Sequence, residues 1–271
     1  MNRYPIYIVS KGRANKQLTA AALQEIGLPY LIVCEPQEYH NYCFYNGKDK
    51  VLCLPFQPLN QGSTPARNFI WRHALERGFA KHWILDDNIR RFLRFNRNLK
   101  IKVVTPGIFE AAEDFCDRYN NLAIAGFNYR FLVPQRVGNK PPITINTRVY
   151  SCILLDNNLP AAWRLRFNED TDLSLQALKA GFCTVLFNAF LCRKEETQTM
   201  TGGNTPLYAA TQDRFEFVRE LYEHHPKSVQ VTRKFGRWHH HVNYDQFKQK
   251  LQRKHAAPAG VNEYGMRLYK K

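Results

Sequence analysis

One stretch constrains this chain more than any other. His82-Trp83-Ile84-Leu85 runs straight into Asp86-Asp87-Asn88. An apolar run of this kind reads as a buried strand that stops abruptly at a polar edge. In open α/β sheets, ligands bind beyond the carboxyl ends of the strands. Asp86, Asp87 and Asn88 are therefore expected where a ligand can reach them. Adjacent acids repel each other unless a cation or a sugar hydroxyl holds them. Hard divalent cations take such oxygen ligands and bridge them to substrate phosphates. A capped turn, with Asp87 or Asn88 bonding its own backbone, uses the same residues. From this stretch alone the two readings stand level.

The chain before it supplies a sheet. Ile6-Tyr7-Ile8-Val9 reads as a strand, and Ser10-Lys11-Gly12-Arg13 as a polar turn with two cations at its carboxyl end. Asn15 can cap a helix over residues 16–26 that Gly27 stops. Tyr30-Leu31-Ile32-Val33-Cys34 is the next strand. Strand, helix and strand make a βαβ unit and begin a parallel sheet. Neither a P-loop nor a Gly-x-Gly-x-x-Gly pattern is present, so Arg13 is left either to meet a nucleotide's phosphates or to sit solvated in its loop. Residues 39–50 are polar and aromatic and read as a loop. Val51-Leu52-Cys53-Leu54-Pro55 reads as a third strand. Thr64-Pro65-Ala66-Arg67-Asn68 then opens a helix to about residue 77, which places Arg67 and Asn68 in a first turn suited to an anion.

Beyond the acids, Arg90, Arg91, Arg94 and Arg97 interleave with Phe92 and Phe95. Guanidinium forks suit phosphates and rings can stack on bases. An amphipathic element with its rings in the core and its cations in water fits equally. A helix over residues 106–119 follows, then a strand at 122–127, a loop at 133–142 and a strand at 149–155. Glu169-Asp170-Thr171-Asp172 crowds three acids onto the start of a helix that ends at Gly181. The helix dipole accounts for one or two of them; a carboxylate there could also serve as a general base. A strand at 185–190, a turn at 200–204 and a helix at 214–224 precede the triplet His239-His240-His241. One of the three could bind metal.

Charge narrows the partners. In 271 residues, 39 Lys and Arg face 23 Asp and Glu, a net +16. Such an excess is drawn to polyanions, nucleic acid first. No stretch reads as a membrane span. Seven cysteines, none spaced as Cys-x-x-Cys and several inside apolar runs, read as free thiols in a reducing cytoplasm. Residues 1–244 carry the motifs of one domain, and 245–271 read as a solvated basic extension.

Taken in order, the cationic turn, the Pro65-Ala66-Arg67-Asn68 helix start, the Asp86-Asp87-Asn88 strand tip, the late Glu169-Asp170-x-Asp172-Leu173 and the C-terminal histidines resemble a GT-A nucleotide-sugar glycosyltransferase over residues 4–241. In a short and very basic chain, the Asp-Asp-Asn variant is most similar to the subgroup associated with DNA base modification, the TET/JBP-associated glycosyltransferases. Many of these come from bacteriophages, which would place this protein in a host's cytoplasm.

The resemblance implies an α/β fold: a mixed, mainly parallel Rossmann-like sheet flanked by helices. It implies transfer of glucose or arabinose from a UDP-sugar to 5-hydroxymethylcytosine, or another hydroxymethylated base, in DNA. Ser10, Arg13, Arg67, Asn68, Asp86 and Asp87 would hold the donor. Asp170, with Glu169 beside it, would be the base of an inverting reaction. Mn²⁺ or Mg²⁺ would rest on Asp87, Asn88, His239 and His241; Asn88 stands where the family normally places a charged ligand. Arg90, Arg91, Arg94 and Arg97 would meet the DNA. Rival readings are a glycan- or lipid-directed glycosyltransferase and a nucleic-acid-binding module without catalysis.

Overall fold

The computed structural model describes residues 3–57, 61–135, 141–195, 201–203, 215–234 and 236–254. Short apolar segments alternate with helices from the start. β1 (Ile6–Val9), α1 (Leu18–Glu25), β2 (Leu31–Cys34), α2 (Tyr39–Asn46), β3 (Val51–Cys53), α3 (Thr64–Glu76) and β4 (Lys81–Asp86) build a parallel half-sheet in the order β3-β2-β1-β4. The order reverses direction between β1 and β4. That switch point opens a crevice at the strands' carboxyl ends, where Ser10 and Asp86 lie.

The second half is mixed. β5 (Ile89–Asn96) and β6 (Leu99–Lys102) form a hairpin, followed by α4 (Gly107–Cys116), β7 (Leu122–Tyr129), β8 (Ile143–Ile145), β9 (Cys152–Asp156), α5 (Glu169–Lys179) and β10 (Cys183–Lys194). The sheet continues β4-β9-β7-β10-β5-β6, with β8 also on β10. From the pairings, β1, β2, β3, β4, β7, β10 and β6 point one way, and β9, β5 and β8 the other. The mixed, mainly parallel α/β expectation holds.

Strand alternation explains the two cores. Ile6, Ile8, Trp83 and Leu85 pack into one apolar cluster with Leu23, Phe109 and Phe127. Tyr7 and Ile84 face the opposite cluster, with Ile70, Trp71 and Trp163. Both faces of the central strands are thus covered, which is why they read as continuous apolar runs rather than as alternation. All seven cysteines are free thiols.

After β10, α6 (Phe215–His224) leads to a separate hairpin of β11 (Val229–Lys234) and β12 (Arg237–Val242). Two expectations change here, at residues 39–46 and in the basic extension, and the amphipathic element after the acids takes its form. Residues 39–46 are helical rather than loop; Tyr42 is the side chain this helix buries, and it anchors the turn after β1. The Arg/Phe stretch is the β5–β6 hairpin, which turns at Arg97 and Asn98. The start of the basic extension is docked rather than solvated. Asn146 Nδ2 donates to the carbonyls of Phe247 and Gln249, and Lys254 N to that of Arg118. The rest of the extension, with Lys270 and Lys271, residues 136–140 of the 133–142 loop and the ends of the 200–204 turn lie outside the described residues. Among the described residues, no helix is long and apolar enough to cross a membrane.

Candidate active site

The crevice between β1 and β4 widens into a pocket of about 300 Å³. Five acids (Glu35, Asp86, Asp87, Glu169 and Asp170) and five cations (Lys11, Arg13, Arg67, Arg148 and Lys194) line it. Asp86 ends β4. Its Oδ1 accepts from Arg67 Nη2 at 2.9 Å; its Oδ2 accepts from Ser151 Oγ at 2.6 Å and Lys194 Nζ at 2.7 Å. Burial pushes the carboxyl up, but Lys194 and Arg67 outweigh it and hold Asp86 well below the ordinary carboxylate range. For Lys194, burial acts downward and the charge of Asp86 prevails, so the ammonium is held charged.

Asp87 turns to the other side of the strand tip. It accepts from Ser10 Oγ at 2.7 Å and forms an ion pair with Arg13. Its pKa is raised by burial, which Arg13 and Ser10 only partly offset. The cationic turn is fixed from two sides. Tyr42 Oη shares a hydrogen bond with Ser10 Oγ at 2.7 Å and accepts from Arg13 N at 3.2 Å. Arg13 Nε donates to the Thr201 carbonyl at 2.8 Å. Gly202, at φ +79°, permits this approach: a Cβ there would stand 2.7 Å from the Gly12 carbonyl oxygen.

Two polar atoms in this wall are buried with no hydrogen-bond partner among the described residues: Arg67 Nη1, a donor, and Asn88 Oδ1, an acceptor. Buried groups of this kind ordinarily find a partner. Arg67 is 4% exposed, stacks on Trp163 at 4.7 Å and donates to Ser63 Oγ at 3.0 Å.

α5 supplies the opposite wall. Asn168 precedes it at φ +57°, a left-handed conformation that asparagine tolerates, and the sharp entry points the first turn at the pocket. Glu169 accepts from Ser63 Oγ at 2.9 Å and lies 3.6 Å from Arg67; burial raises its pKa against that cation. Asp170 Oδ1 accepts from the Thr171 N–H at 2.7 Å. Of the five pocket acids, Asp170 alone has no ion-pair partner among the described residues.

The structure therefore brings together Ser10, Arg13, Arg67, Asp86, Asp87, Asn88, Glu169 and Asp170. Asn68 stands apart from them. Its amide donates to the Trp163 carbonyl at 2.8 Å and accepts from Trp163 N at 3.1 Å, a latch between α3 and the segment before α5. His239 and His241 are exposed on β12. His240 points inward, its pKa pushed down to about 4 by burial and by Arg148, against the pull of Asp170. Among the described residues, no group of three or more His, Cys, Asp or Glu is set to hold a metal. Arg90, Arg91, Arg94 and Arg97 are exposed on the β5–β6 hairpin, and Arg90 pairs with Glu195.

Sequence reasoning missed Lys194, Ser151, Tyr129 and Arg148. Lys194 ends a strand whose apolar run was cut at Phe190, yet Leu191-Cys192 continues it; that continuation was the available signal. The other three carry no local signature.

A crevice at a parallel switch point, walled by strand-tip acids and completed by a mixed half-sheet, is the arrangement of a GT-A-like fold. The chain belongs to the TET-Associated Glycosyltransferase family, whose model matches residues 4–203. It is thus a glycosyltransferase, of a family associated with modified DNA bases. No curated protein matches the chain.

Proposed function

We propose that this protein moves glucose or arabinose from a UDP-sugar to the hydroxymethyl group of 5-hydroxymethylcytosine, or of another hydroxymethylated base, in DNA. The observation that carries the mechanism is the unpaired carboxylate of Asp170. Glu35, Asp86, Asp87 and Glu169 each pair with a cation, while Asp170 faces the same pocket with no ion-pair partner among the described residues. A base must be able to accept a proton, and a carboxylate neutralised by a salt bridge does so poorly. Asp170 takes the proton as the acceptor oxygen attacks the anomeric carbon. The bond to the diphosphate breaks on the opposite side and the configuration inverts. Arg13, Arg67 and Lys194 face the charge that builds on the leaving group, and the unpartnered Arg67 Nη1 is a donor ready for one of its oxygens.

A divalent ion fits this chain's chemistry in one respect. Five cations balance five carboxylates, so an arriving diphosphate brings uncompensated charge into the pocket. The buried Asn88 Oδ1, acceptor to nothing among the described residues, is the oxygen that would hold Mn²⁺ or Mg²⁺ beside the substrate's own phosphates. Such an ion would stabilise the leaving diphosphate. His239 and His241 are exposed and add no ligand in this arrangement.

The test is mass spectrometry of nucleosides from hydroxymethylcytosine DNA, incubated with the protein, Mn²⁺ or Mg²⁺ and a panel of nucleotide sugars, with and without a chelator. The expected result is a hexose or pentose increment on the base that the chelator abolishes. Asp170→Asn should melt as the parent does, bind UDP and lose at least about 100-fold in transfer. Donor hydrolysis with no increment on DNA would reject the acceptor, and full activity in Asp170→Asn would reject the base.

A further inference from the structure

Phe131 is a large apolar side chain left 69% exposed, in a short 3₁₀ turn (Arg130–Leu132) directly after β7. One face of its ring is not idle. It stacks on Tyr129, with centroids 5.3 Å apart and planes 20° from parallel. Tyr129 packs in turn on Tyr150, 4.4 Å away, and Arg148 lies over the Tyr150 ring at 5.1 Å. Tyr129 and Arg148 line the pocket that Asp170 faces. A column of rings thus runs from the surface into the active site, with Phe131 at its outer end.

The column is rigidly mounted. Tyr129 Oη is hydrogen-bonded to Ser151 Oγ at 2.5 Å, and Tyr150 Oη donates to Asn128 Oδ1 at 2.9 Å. The segment carrying Phe131 is tied to the basic hairpin: Lys100 Nζ donates to the Arg130 carbonyl at 2.8 Å, and Gln135 Nε2 to the Asn98 carbonyl at 2.9 Å. Cations that suit a phosphate backbone, an open aromatic face and the pocket therefore follow one another across a continuous surface. Charge complementarity selects the nucleic acid as occupant, and the flat open ring selects a base.

A base inside a duplex has both faces covered by its neighbours and offers only its edge. Ring-on-ring contact with protein requires that it leave the stack. We propose that Phe131 is the stacking residue for an acceptor base rotated out of the duplex, held at the outer end of a ring column whose Tyr129 lines the pocket that Asp170 faces. This rests on the reading of DNA as acceptor and adds how the base is presented.

The test compares Phe131→Leu and Phe131→Trp with the parent on hydroxymethylcytosine duplexes that carry 2-aminopurine beside the acceptor. Melting temperature and UDP binding serve as folding controls. The parent should raise the 2-aminopurine fluorescence on binding, because the reporter loses its neighbour. Phe131→Leu, apolar but not planar, should lose that rise and about tenfold in transfer, the size of a lost base–aromatic stack. Phe131→Trp should keep both. Active parent enzyme with no fluorescence rise, or Phe131→Leu transferring at the parental rate, overturns the inference alone and leaves DNA as acceptor. Absence of any transfer to DNA by the parent overturns both.

Discussion

His82 shows how one residue, at the end of β4 away from Asp86, sets a pH limit on the fold. It is fully buried at the start of β4, between Tyr7 and Trp71. Asn157 Nδ2 donates to the Phe79 carbonyl, which leaves Asn157 Oδ1 to accept from His82 Nδ1 at 2.5 Å. His82 Nε2 is then a buried lone pair without a partner among the described residues. Burial pushes the imidazole down to about 4, against the hydrogen bond to Asn157. In the unfolded chain it titrates near 6.5. Between those values the unfolded state binds the extra proton, so stability rises with pH. The contribution is fully present above pH 6.5 and is lost as pH falls to about 4, with no further loss below. The gap corresponds to about 3 kcal/mol. Urea midpoints at pH 7 and pH 4.5 should fall further apart for the parent than for His82→Gln; equal shifts would show that this imidazole is not the titrating group.

At the scale of elements, the start of α5 divides three acids between two tasks. Residues 170 and 172 stand about 200° apart around a helix, so they cannot face the same way. Asp170 lines the pocket. Asp172 is fully buried on the far side, accepts from Arg164 Nη2 at 2.6 Å and Gln176 Nε2 at 2.7 Å, and pairs with His225 Nε2 at 2.7 Å. It ties α5 to the end of α6. Burial acts upward on its pKa, and His225 and Arg164 bring it down. Lys179 Nζ faces His225 Nδ1, and removing Asp172 leaves the buried His225 Nε2 without its partner and Arg164 without its carboxylate, so Asp172→Ala should cost about 1–3 kcal/mol in denaturant unfolding. An unchanged midpoint would mean that the pair is not structural. The helix and its acids were legible from sequence because local periodicity encodes them. So were the tips of β1 and β4 and the start of α3, where an apolar run or a cap meets polar residues. Lys194, Ser151 and Tyr129 were not. They reach Asp86 or its neighbours through the ends of β10, β9 and β7, and no local pattern says which strand of a mixed sheet lies beside which. The helix at Tyr39–Asn46 was hidden for another reason: it buries Tyr42 alone, so it carries no apolar stripe.

At the scale of the whole molecule, a net +16 must be held against its own repulsion, and where the excess collects decides what it can bind. Strand alternation splits the hairpin's arginines. Leu93 and Phe95 pack with Val133 and Leu191, so Arg91, two residues before Leu93, shares the face of β5 that the segment after Phe131 covers. Arg97 sits at the turn. Arg94 lies on the other face with Phe92, which belongs to the core under α1 and α4. A duplex that presents its base to the Phe131 column should therefore touch Arg91 and Arg97 and miss Arg94. Each phosphate contact releases counterions and adds about 0.9 to the slope of log K against log salt. Replacing Arg91→Gln and Arg97→Asn together should weaken duplex binding at low salt and flatten that slope by about 1.8. Arg94→Gln should leave the slope near the parent's. Fluorescence anisotropy across a salt series measures both. If Arg94→Gln flattens the slope and the double variant does not, the duplex lies on the opposite face of the hairpin, away from the pocket.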